Sequence, residues 1–201
     1  MRILVLASGR GSNFAAIADA VRDGLIPGAQ LVALITNRAE APALGLARDR
    51  GIATRVVESA RFRAGGNLDR DSYESQILEA LSGFHPDLVC LAGYMLLLGP
   101  TLLKAFTARI VNIHPSLLPS FRGLHAQRQA IEAGVEWAGC TVHRVIEELD
   151  AGPILAQGIV RVLPGDTEET LSTRLLPIEH ETYVRALRGL VLSRGGSKAR
   201  T

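Results

Sequence analysis

The chain has 201 residues, a length that favours a single domain with an interior large enough to fold without disulfide or metal staples. Hydrophobic residues make up 47% of it and charged residues 21%, as in ordinary globular proteins, and the formal net charge is only +2. So small a surplus of positive charge argues against nucleic acid or an anionic membrane as a partner.

The first half of the chain alternates between strand and helix patterns. Continuous apolar runs predict strands that are buried on both faces, and apolar residues at helical spacing predict the helices between them. This alternation is typical of βαβ units and of a parallel, doubly wound sheet. The predicted strands are 3–7, 31–36, 54–57 and 88–92, and the predicted helices are 13–24, 42–50 and 70–81, with a polar loop at 61–68.

The second half predicts a mixed sheet. Two of its strands are separated by only a short turn, which favours antiparallel pairing. Pro177 is expected to kink or split the last helix. Residues 193–201 carry three basic and no acidic residues and are expected to form a flexible tail. The predicted strands are 109–114, 139–145 and 154–162, and the predicted helices are 126–133 and 166–192, with a proline-rich loop at 115–123.

The cysteines and the lengths of the apolar runs indicate the cellular compartment. Cys90 and Cys140 lie in apolar segments and are too few for a disulfide scaffold, so we expect buried, unreactive thiols in a reducing environment. The apolar run at residues 3–7 is shorter than the core of a signal peptide. The longest uncharged stretch, residues 88–103, is too short and too interrupted by glycine and proline to span a membrane. We therefore expect a cytoplasmic protein.

The turn after the first strand, Ser8-Gly9-Arg10-Gly11-Ser12-Asn13, predicts an anion site. Backbone N–H groups and the positive end of the helix dipole would point at the anion, and Ser12 or Asn13 would cap the helix. The dinucleotide pattern G-x-G-x-x-G is incomplete, because Phe14 holds the third glycine position. The second strand also ends in Thr36-Asn37-Arg38, without the acidic residue that binds a ribose diol. A mononucleotide or sugar phosphate therefore fits better than NAD, and the alternative is a tight turn that binds nothing.

Polar side chains also end a later strand, in Asn112-Ile113-His114-Pro115. Alternate residues of a strand share a face, so Asn112 and His114 are expected to project together. An uncharged donor beside an imidazole suits acyl transfer, in which an oxyanion is stabilised and the leaving nitrogen is protonated. Asp150 is the candidate carboxylate that would favour the protonated imidazole. Taken alone, each residue also fits a structural role: Asp150 in a turn, and His114 as a buried strand-end histidine.

Other catalytic classes have little support in the sequence. His125 and His143 are the remaining histidines near this segment, and they do not show a metal-ligand spacing. The nucleophile signature Gly-x-Ser-x-Gly is absent from the sequence. We therefore expect no metal requirement.

Five motifs make the chain similar to a known family. They are Ser8-Gly9-Arg10-Gly11-Ser12-Asn13, Leu91-Ala92-Gly93-Tyr94-Met95, Asn112-Ile113-His114-Pro115-Ser116-Leu117-Leu118-Pro119, Gly123-Leu124-His125 and Glu148-Leu149-Asp150-Ala151-Gly152-Pro153. From residue 1 to about residue 192 the chain resembles the phosphoribosylglycinamide formyltransferases, folate-dependent enzymes of purine synthesis. The resemblance implies a Rossmann-like α/β formyltransferase fold with a mostly parallel mixed sheet and helices on both faces. It implies one domain, 1–192, in which 1–110 forms the nucleotide-binding βαβ part and 111–192 the catalytic and folate-site part, before the tail 193–201.

The resemblance implies a reaction and three catalytic residues. The amine of 5′-phosphoribosylglycinamide would attack the formyl carbon of the co-substrate 10-formyltetrahydrofolate. Asn112 would bind the formyl oxygen, and His114 would donate a proton and stabilise the oxyanion. Asp150 would favour the charged imidazole and relay protons through water.

The resemblance also implies the positions that bind the two substrates. Gly11, Ser12 and Asn13 would hold the phosphate, and Glu179 would contact the sugar. The sequence departs from the family in two places: Leu96 stands where relatives often carry arginine, and Pro177 comes shortly before Glu179. The implied folate-contacting positions are Arg70, Met95, Leu96, Leu97, Leu98 and Asn112.

Two other functions stay open at this level. A different 10-formyltetrahydrofolate-using formyltransferase or a hydrolase would share the central motif, but the transfer-RNA enzymes add a nucleic-acid-binding domain and the hydrolases typically add a regulatory one, and we expect neither here. A non-catalytic sugar-phosphate sensor would keep the first turn without needing Asn112, His114 and Asp150 together. We expect small-molecule substrates, no nucleic acid, no membrane, and a monomer or homodimer.

Overall fold

The computed structural model describes the backbone of residues 1–197 and the side chains of residues 1–194. The chain divides into two compact units, Met1–Val111 and a second unit that begins at Asn112. The proposed boundary at 110/111 inside one domain of residues 1–192 stays a prediction.

Sixteen elements follow one another along the part of the chain that the structure describes. The strands are β1 (Arg2–Ala7), β2 (Gln30–Thr36), β3 (Thr54–Val56), β4 (Arg63–Ala64), β5 (Asn67–Leu68), β6 (Leu88–Leu91), β7 (Ile110–His114), β8 (Trp137–Arg144) and β9 (Ile154–Arg161). The helices are α1 (Ser12–Arg22), α2 (Ala43–Asp49), α3 (Arg70–Ser82), α4 (Pro100–Ala105), α5 (Ala126–Glu132) and α6 (Glu168–Ser197), and Ser59–Phe62 forms a 3-10 turn. Seven strands form one sheet in the order β3-β2-β1-β6-β7-β8-β9, and β4 and β5 form a separate ribbon.

The first unit is built around β1. This strand pairs in parallel with β2 on one side and with β6 on the other, and β2 pairs in parallel with β3. Residues 3–6 are all buried, as expected of an apolar strand covered on both faces. Because the next strand in sequence lies on one side of β1 and a much later one on the other, the winding reverses between β1 and β6. Open α/β sheets bind ligands at the carboxyl ends of the strands at such a reversal.

The second unit is built around an antiparallel pair. β8 pairs antiparallel with β9, which confirms the predicted arrangement. α6 packs against both strands, and Leu171, Leu175, Tyr183 and Leu187 on this helix are fully buried. Three parallel strand pairs around β1 and the antiparallel pair β8–β9 belong to a mixed, mostly parallel α/β sheet, which is the predicted fold class.

The start of α1 differs from the prediction. Gly11, and not Ser12 or Asn13, is the N-cap residue, and no side chain caps the helix. Gly11 has φ +79°, a conformation that costs residues with a Cβ, and a Cβ there would lie 2.6 Å from the Cβ of Ala43. Backbone conformation and contact with α2 thus require glycine. Gly24 ends the helix as predicted: its N–H donates to the Val21 carbonyl oxygen at 3.2 Å.

Besides the 3-10 turn, three short elements were not predicted: α4, β4 and β5. α4 has six residues, too few for a helical period to show, and its Pro100 was interpreted as a breaker although proline suits the first position of a helix. β4 and β5 lie inside the predicted loop 61–68 and are joined by Gly65-Gly66, both with positive φ, as in a two-residue hairpin turn.

The last helix is longer and less interrupted than predicted. α6 runs as one helix through Pro177, so the predicted split is wrong. The packing of α6 on β8 and β9 compensates for the one N–H group that proline lacks. The helix also includes residues 193–197 of the predicted tail, and residues 198–201 lie outside the described residues. Across the described chain, no helix is both long enough and apolar enough to cross a membrane.

Candidate active site

Two loops are joined at the carboxyl ends of β1 and β6. The N–H of Ser8 donates to the carbonyl oxygen of Gly93 at 3.1 Å, and the N–H of Met95 donates to the Ser8 hydroxyl oxygen at 2.9 Å. These bonds fix the loop after β1 against the loop after β6. They do so at the position where a doubly wound sheet places its ligand crevice.

The predicted phosphate site is the N-terminus of α1. Gly11 precedes the helix, Ser12 is its first residue and is half-buried, and the Asn13 side chain is buried. The N–H groups of a first helical turn lack acceptors within the helix, and the aligned peptide dipoles give this end a partial positive charge. The turn can therefore accept an anion such as a phosphate.

The predicted folate positions of the first unit lie on the β6–α4 loop and at the start of α3. Met95 is 69% exposed and Leu97 57% exposed, whereas Leu96 and Leu98 are half-buried. Arg70 is the exposed first residue of α3. Large apolar side chains exposed together on a loop are typical of a ligand-binding surface.

The second unit brings Asn112, His114 and Asp150 together, as predicted, and adds His143. The Nδ1 atom of His114 lies 3.3 Å from Asp150 Oδ2, and the Nε2 atom of His143 lies 3.6 Å from Asp150 Oδ1. The Asn112 Nδ2 atom lies within hydrogen-bond distance of His143 Nε2, at 3.2 Å. Each of the two histidines and Asp150 is buried. The four side chains therefore form one polar cluster at the end of β7, in which Asn112 is half-buried and the other three are buried.

The hydrogen bonds of His114 indicate its charge. Its Nε2 atom lies 2.9 Å from the carbonyl oxygen of Phe121, which can only accept, so Nε2 carries a proton. Its Nδ1 atom faces the Asp150 carboxylate, which also only accepts when ionised. Both contacts are satisfied at once when His114 is an imidazolium. The cluster is thus arranged to hold a protonated histidine in a buried position.

Asp150 is arranged to stay ionised. Burial alone would raise its pKa, but the hydrogen bonds with His143 and the Gly123 N–H, together with the charges of His114 and His143, hold the pKa of Asp150 below its usual range. The N–H of Gly123 donates to Oδ2 at 3.0 Å. Asp150 and Phe121 both have positive φ, +49° and +55°. Non-glycine residues in that region cluster at functional sites, and here the two bring a carboxylate and a carbonyl to His114.

Sequence reasoning missed the role of His143 in this cluster. It considered the residue only as a metal ligand, yet Thr141 and His143 are buried polar residues at alternate positions of β8. Such an alternation in an otherwise apolar strand places both side chains on one face and was the available signal. The Phe121 carbonyl and the Gly123 N–H are backbone groups and leave no sequence signal.

Glu179, the predicted sugar contact, lies half-buried on α6. Burial raises the pKa of the Cys140 thiol to about 11, and the negative charge of Glu179 adds to that effect. Glu179 is therefore close enough to Cys140 of β8 to act on its charge. Cys90 and Cys140 are both buried and form no disulfide, as predicted. Among the residues that the structure describes, no group of three or more His, Cys, Asp or Glu could hold a metal ion.

Comparison with known proteins supplies the family. The model of the formyl transferase family matches residues 1–187. This chain belongs to the formyl transferase family. It is 41% identical over 183 residues to phosphoribosylglycinamide formyltransferase of Escherichia coli K12, covering 91% of this chain and 84% of that protein. The crystal structure of glycinamide ribonucleotide transformylase 1 from Symbiobacterium toebii has a TM-score of 0.91 and 46% identity, covering 96% of this chain and 89% of that one.

One relative is much longer than this chain. The trifunctional purine biosynthetic protein adenosine-3 of Drosophila pseudoobscura pseudoobscura is 42% identical over 189 residues. Those residues are 92% of this chain but only 13% of that protein. The comparisons confirm the resemblance to the phosphoribosylglycinamide formyltransferases and the Rossmann-like α/β fold. They also confirm the prediction that the chain is an enzyme of the transferase class.

Proposed function

We propose that the enzyme transfers the formyl group of 10-formyltetrahydrofolate to the amine of 5′-phosphoribosylglycinamide, a step of purine biosynthesis. The products are formylglycinamide ribonucleotide and tetrahydrofolate. One observation carries the proposal: a cluster of half-buried Asn112 with buried His114 and Asp150, in which both ring nitrogens of the histidine face acceptors. Relatives named for this activity and similar over most of their length support the choice of substrates.

The reaction forms one C–N bond and breaks another. The substrate amine attacks the formyl carbon, and the carbonyl oxygen takes on negative charge in a tetrahedral intermediate. Asn112 and protonated His114 supply hydrogen-bond donors to that oxygen, each worth roughly 3–4 kcal/mol in such sites. The bond from the formyl carbon to N10 of the folate then breaks. N10 takes up a proton from His114, and the attacking amine gives up a proton that passes through water and Asp150 to His114, so that the imidazolium is restored.

Asp150 and His143 position the two hydrogen-bond donors, His114 and Asn112. Asp150 stabilises the imidazolium of His114 from the Nδ1 side, and its own lowered pKa keeps it ionised for that task. His143 donates from Nδ1 to the Arg144 carbonyl oxygen at 2.9 Å, which fixes the ring so that its Nε2 faces both the Asn112 amide and Asp150. His114 Nε2 donates to Phe121 in this structure, and substrate must replace that carbonyl for the proton to reach the folate.

The binding roles are assigned as the resemblance implies. Gly11, Ser12 and Asn13 hold the ribonucleotide phosphate, supported by their place at the N-terminus of α1. Glu179 contacts the sugar, although Pro177 precedes it. Leu96 removes any side-chain charge at its position, so we propose that folate contacts there run through the backbone. The folate-contacting positions are Arg70, Met95, Leu96, Leu97, Leu98 and Asn112.

The remaining features of the proposal concern setting and partners. We propose a cytoplasmic enzyme that acts on small molecules only, binds neither nucleic acid nor membrane, needs no metal, and exists as a monomer or a homodimer. The near-neutral charge of the chain supports the absence of nucleic-acid and membrane partners. Sedimentation of the purified chain decides between monomer and dimer.

The test is a formyl-transfer assay with purified enzyme, 5′-phosphoribosylglycinamide and 10-formyltetrahydrofolate. We expect formylglycinamide ribonucleotide to form, and His114→Ala to abolish most turnover while binding of the ribonucleotide persists. Release of formate without the ribonucleotide would instead identify a hydrolase. Binding of the ribonucleotide without turnover, in the wild type, would identify a sugar-phosphate sensor.

A further inference from the structure

Glu74 of α3 is a buried carboxylate that the proposed reaction does not use. Glu74 is only 1% exposed. One carboxylate oxygen accepts the N–H of Gly99, and the other accepts the N–H of Leu102 at 3.1 Å. These two N–H groups belong to the start of α4, directly after residues 95–98. Both oxygens thus accept N–H groups that have no acceptor within the helix, so the buried carboxyl group and the start of α4 satisfy each other.

Gly99 is packed between Glu74 and Arg70. A Cβ at residue 99 would lie 2.6 Å from the Arg70 Cδ atom and 3.1 Å from each carboxylate oxygen of Glu74. A side chain at residue 99 would therefore displace the Arg70 stem and push on the carboxylate, which would change how the two meet the end of the loop. The packing joins Arg70 to the loop of residues 95–98, and both are predicted folate contacts.

The other end of the same loop is held from α3 as well. The hydroxyl of Tyr73, next to Glu74 in sequence, hydrogen-bonds the hydroxyl of Tyr94. Burial raises the pKa of Tyr73 to about 12 and raises that of Tyr94 further, so both phenols stay neutral at ordinary pH. Together with the Ser8 bond to Met95, these contacts hold both ends of residues 95–98 and leave the exposed side chains between them.

We propose that Glu74 is a positioning residue for the folate substrate: its carboxylate sets the distance and orientation between Arg70 and residues 95–98. The inference rests on the proposed function, because it takes these residues as folate contacts. Glutamate is required because both oxygens accept. A glutamine would turn an N–H group toward a backbone N–H, and the end of the loop would move away from α3.

The test compares Glu74→Gln with Glu79→Gln, which removes an exposed carboxylate from the same helix. We expect Glu74→Gln to raise the KM for 10-formyltetrahydrofolate about tenfold, a loss of about 1.4 kcal/mol of binding, while the KM for the ribonucleotide stays within about twofold. Glu79→Gln should leave both constants unchanged. The Kd for 5-formyltetrahydrofolate, measured by calorimetry, should rise in parallel in Glu74→Gln, without depending on turnover.

Gly99→Ala tests the same contact from the other side and serves if Glu74→Gln does not fold. It should also raise the KM for folate without raising the KM for the ribonucleotide. In the double variant the folate KM should exceed that of the worse single variant by no more than about twofold, because both changes break the same contact. Unchanged folate constants in either folded variant, or equal increases for both substrates, would overturn the proposal. A wild type that binds 5-formyltetrahydrofolate but transfers no formyl group would contradict the proposed function instead.

Discussion

Replacing Asp150 by asparagine removes one charge from the His114 cluster and almost no volume. In the native cluster the carboxylate lies 3.3 Å from His114 Nδ1, and both side chains are buried. Opposite unit charges at that separation interact by about 5 kcal/mol at an effective dielectric constant of 20, which sets an upper bound. Losing one partner of a buried, hydrogen-bonded charge pair typically costs about 2–5 kcal/mol. The asparagine amide satisfies a neutral imidazole, so the proton donor is lost.

We therefore expect kcat/KM of Asp150→Asn to fall by about 10²–10³-fold, mainly through kcat. The assay is formyl transfer measured from about pH 5 to pH 9, where the shape of the profile should also change because the charge opposite His114 is gone. Glu147→Gln is the matched control, because it removes an exposed carboxylate from the same turn. Activity within about threefold of wild type together with a superimposable pH profile would refute the role of Asp150.

Three further predictions concern other parts of the molecule. His143→Ala should lower kcat/KM at least about tenfold and move the loss of activity in acid to higher pH, because contacts with His143 help to lower the pKa of Asp150; an unmoved acid limb would exclude that role. Phe14→Ala, at a fully buried position of α1, should cost about 3–5 kcal/mol of unfolding free energy in urea denaturation, and a cost under about 1 kcal/mol would mean that the site collapses around the smaller residue. Hydrogen bonds from Arg174 lower the pKa of Asp166 to about 2, so the stability it confers is present above about pH 4 and lost as the pH falls toward 2; Asp166→Asn should lack that fall, as measured by denaturation at each pH.

The fold was predictable where one physical signal dominates. The buried strand β1 reads as an unbroken apolar run, and the short turn between β8 and β9 predicts their antiparallel pairing. The six-residue helix α4 has no period long enough to detect, and the packing of α6 outweighs the local effect of Pro177. Tertiary contacts therefore decide the elements that local patterns do not.

The candidate site was predictable to a similar extent. Side chains with chemistry of their own, such as Asn112, His114 and Asp150, stand out in sequence because of their type and spacing. The backbone groups that complete the site, the Phe121 carbonyl and the Gly123 N–H, depend on φ values and loop paths that no residue type encodes. Their contribution to the charge of the cluster could be derived only from the folded structure.

The passage of the formyl group from the folate to the ribonucleotide amine is tested most directly with 10-formyltetrahydrofolate labelled with ¹³C in the formyl carbon. The labelled folate is incubated with the enzyme and 5′-phosphoribosylglycinamide. We expect the label in formylglycinamide ribonucleotide, with one tetrahydrofolate released for each labelled product. Label found only in formate, or left in the donor, would contradict the account.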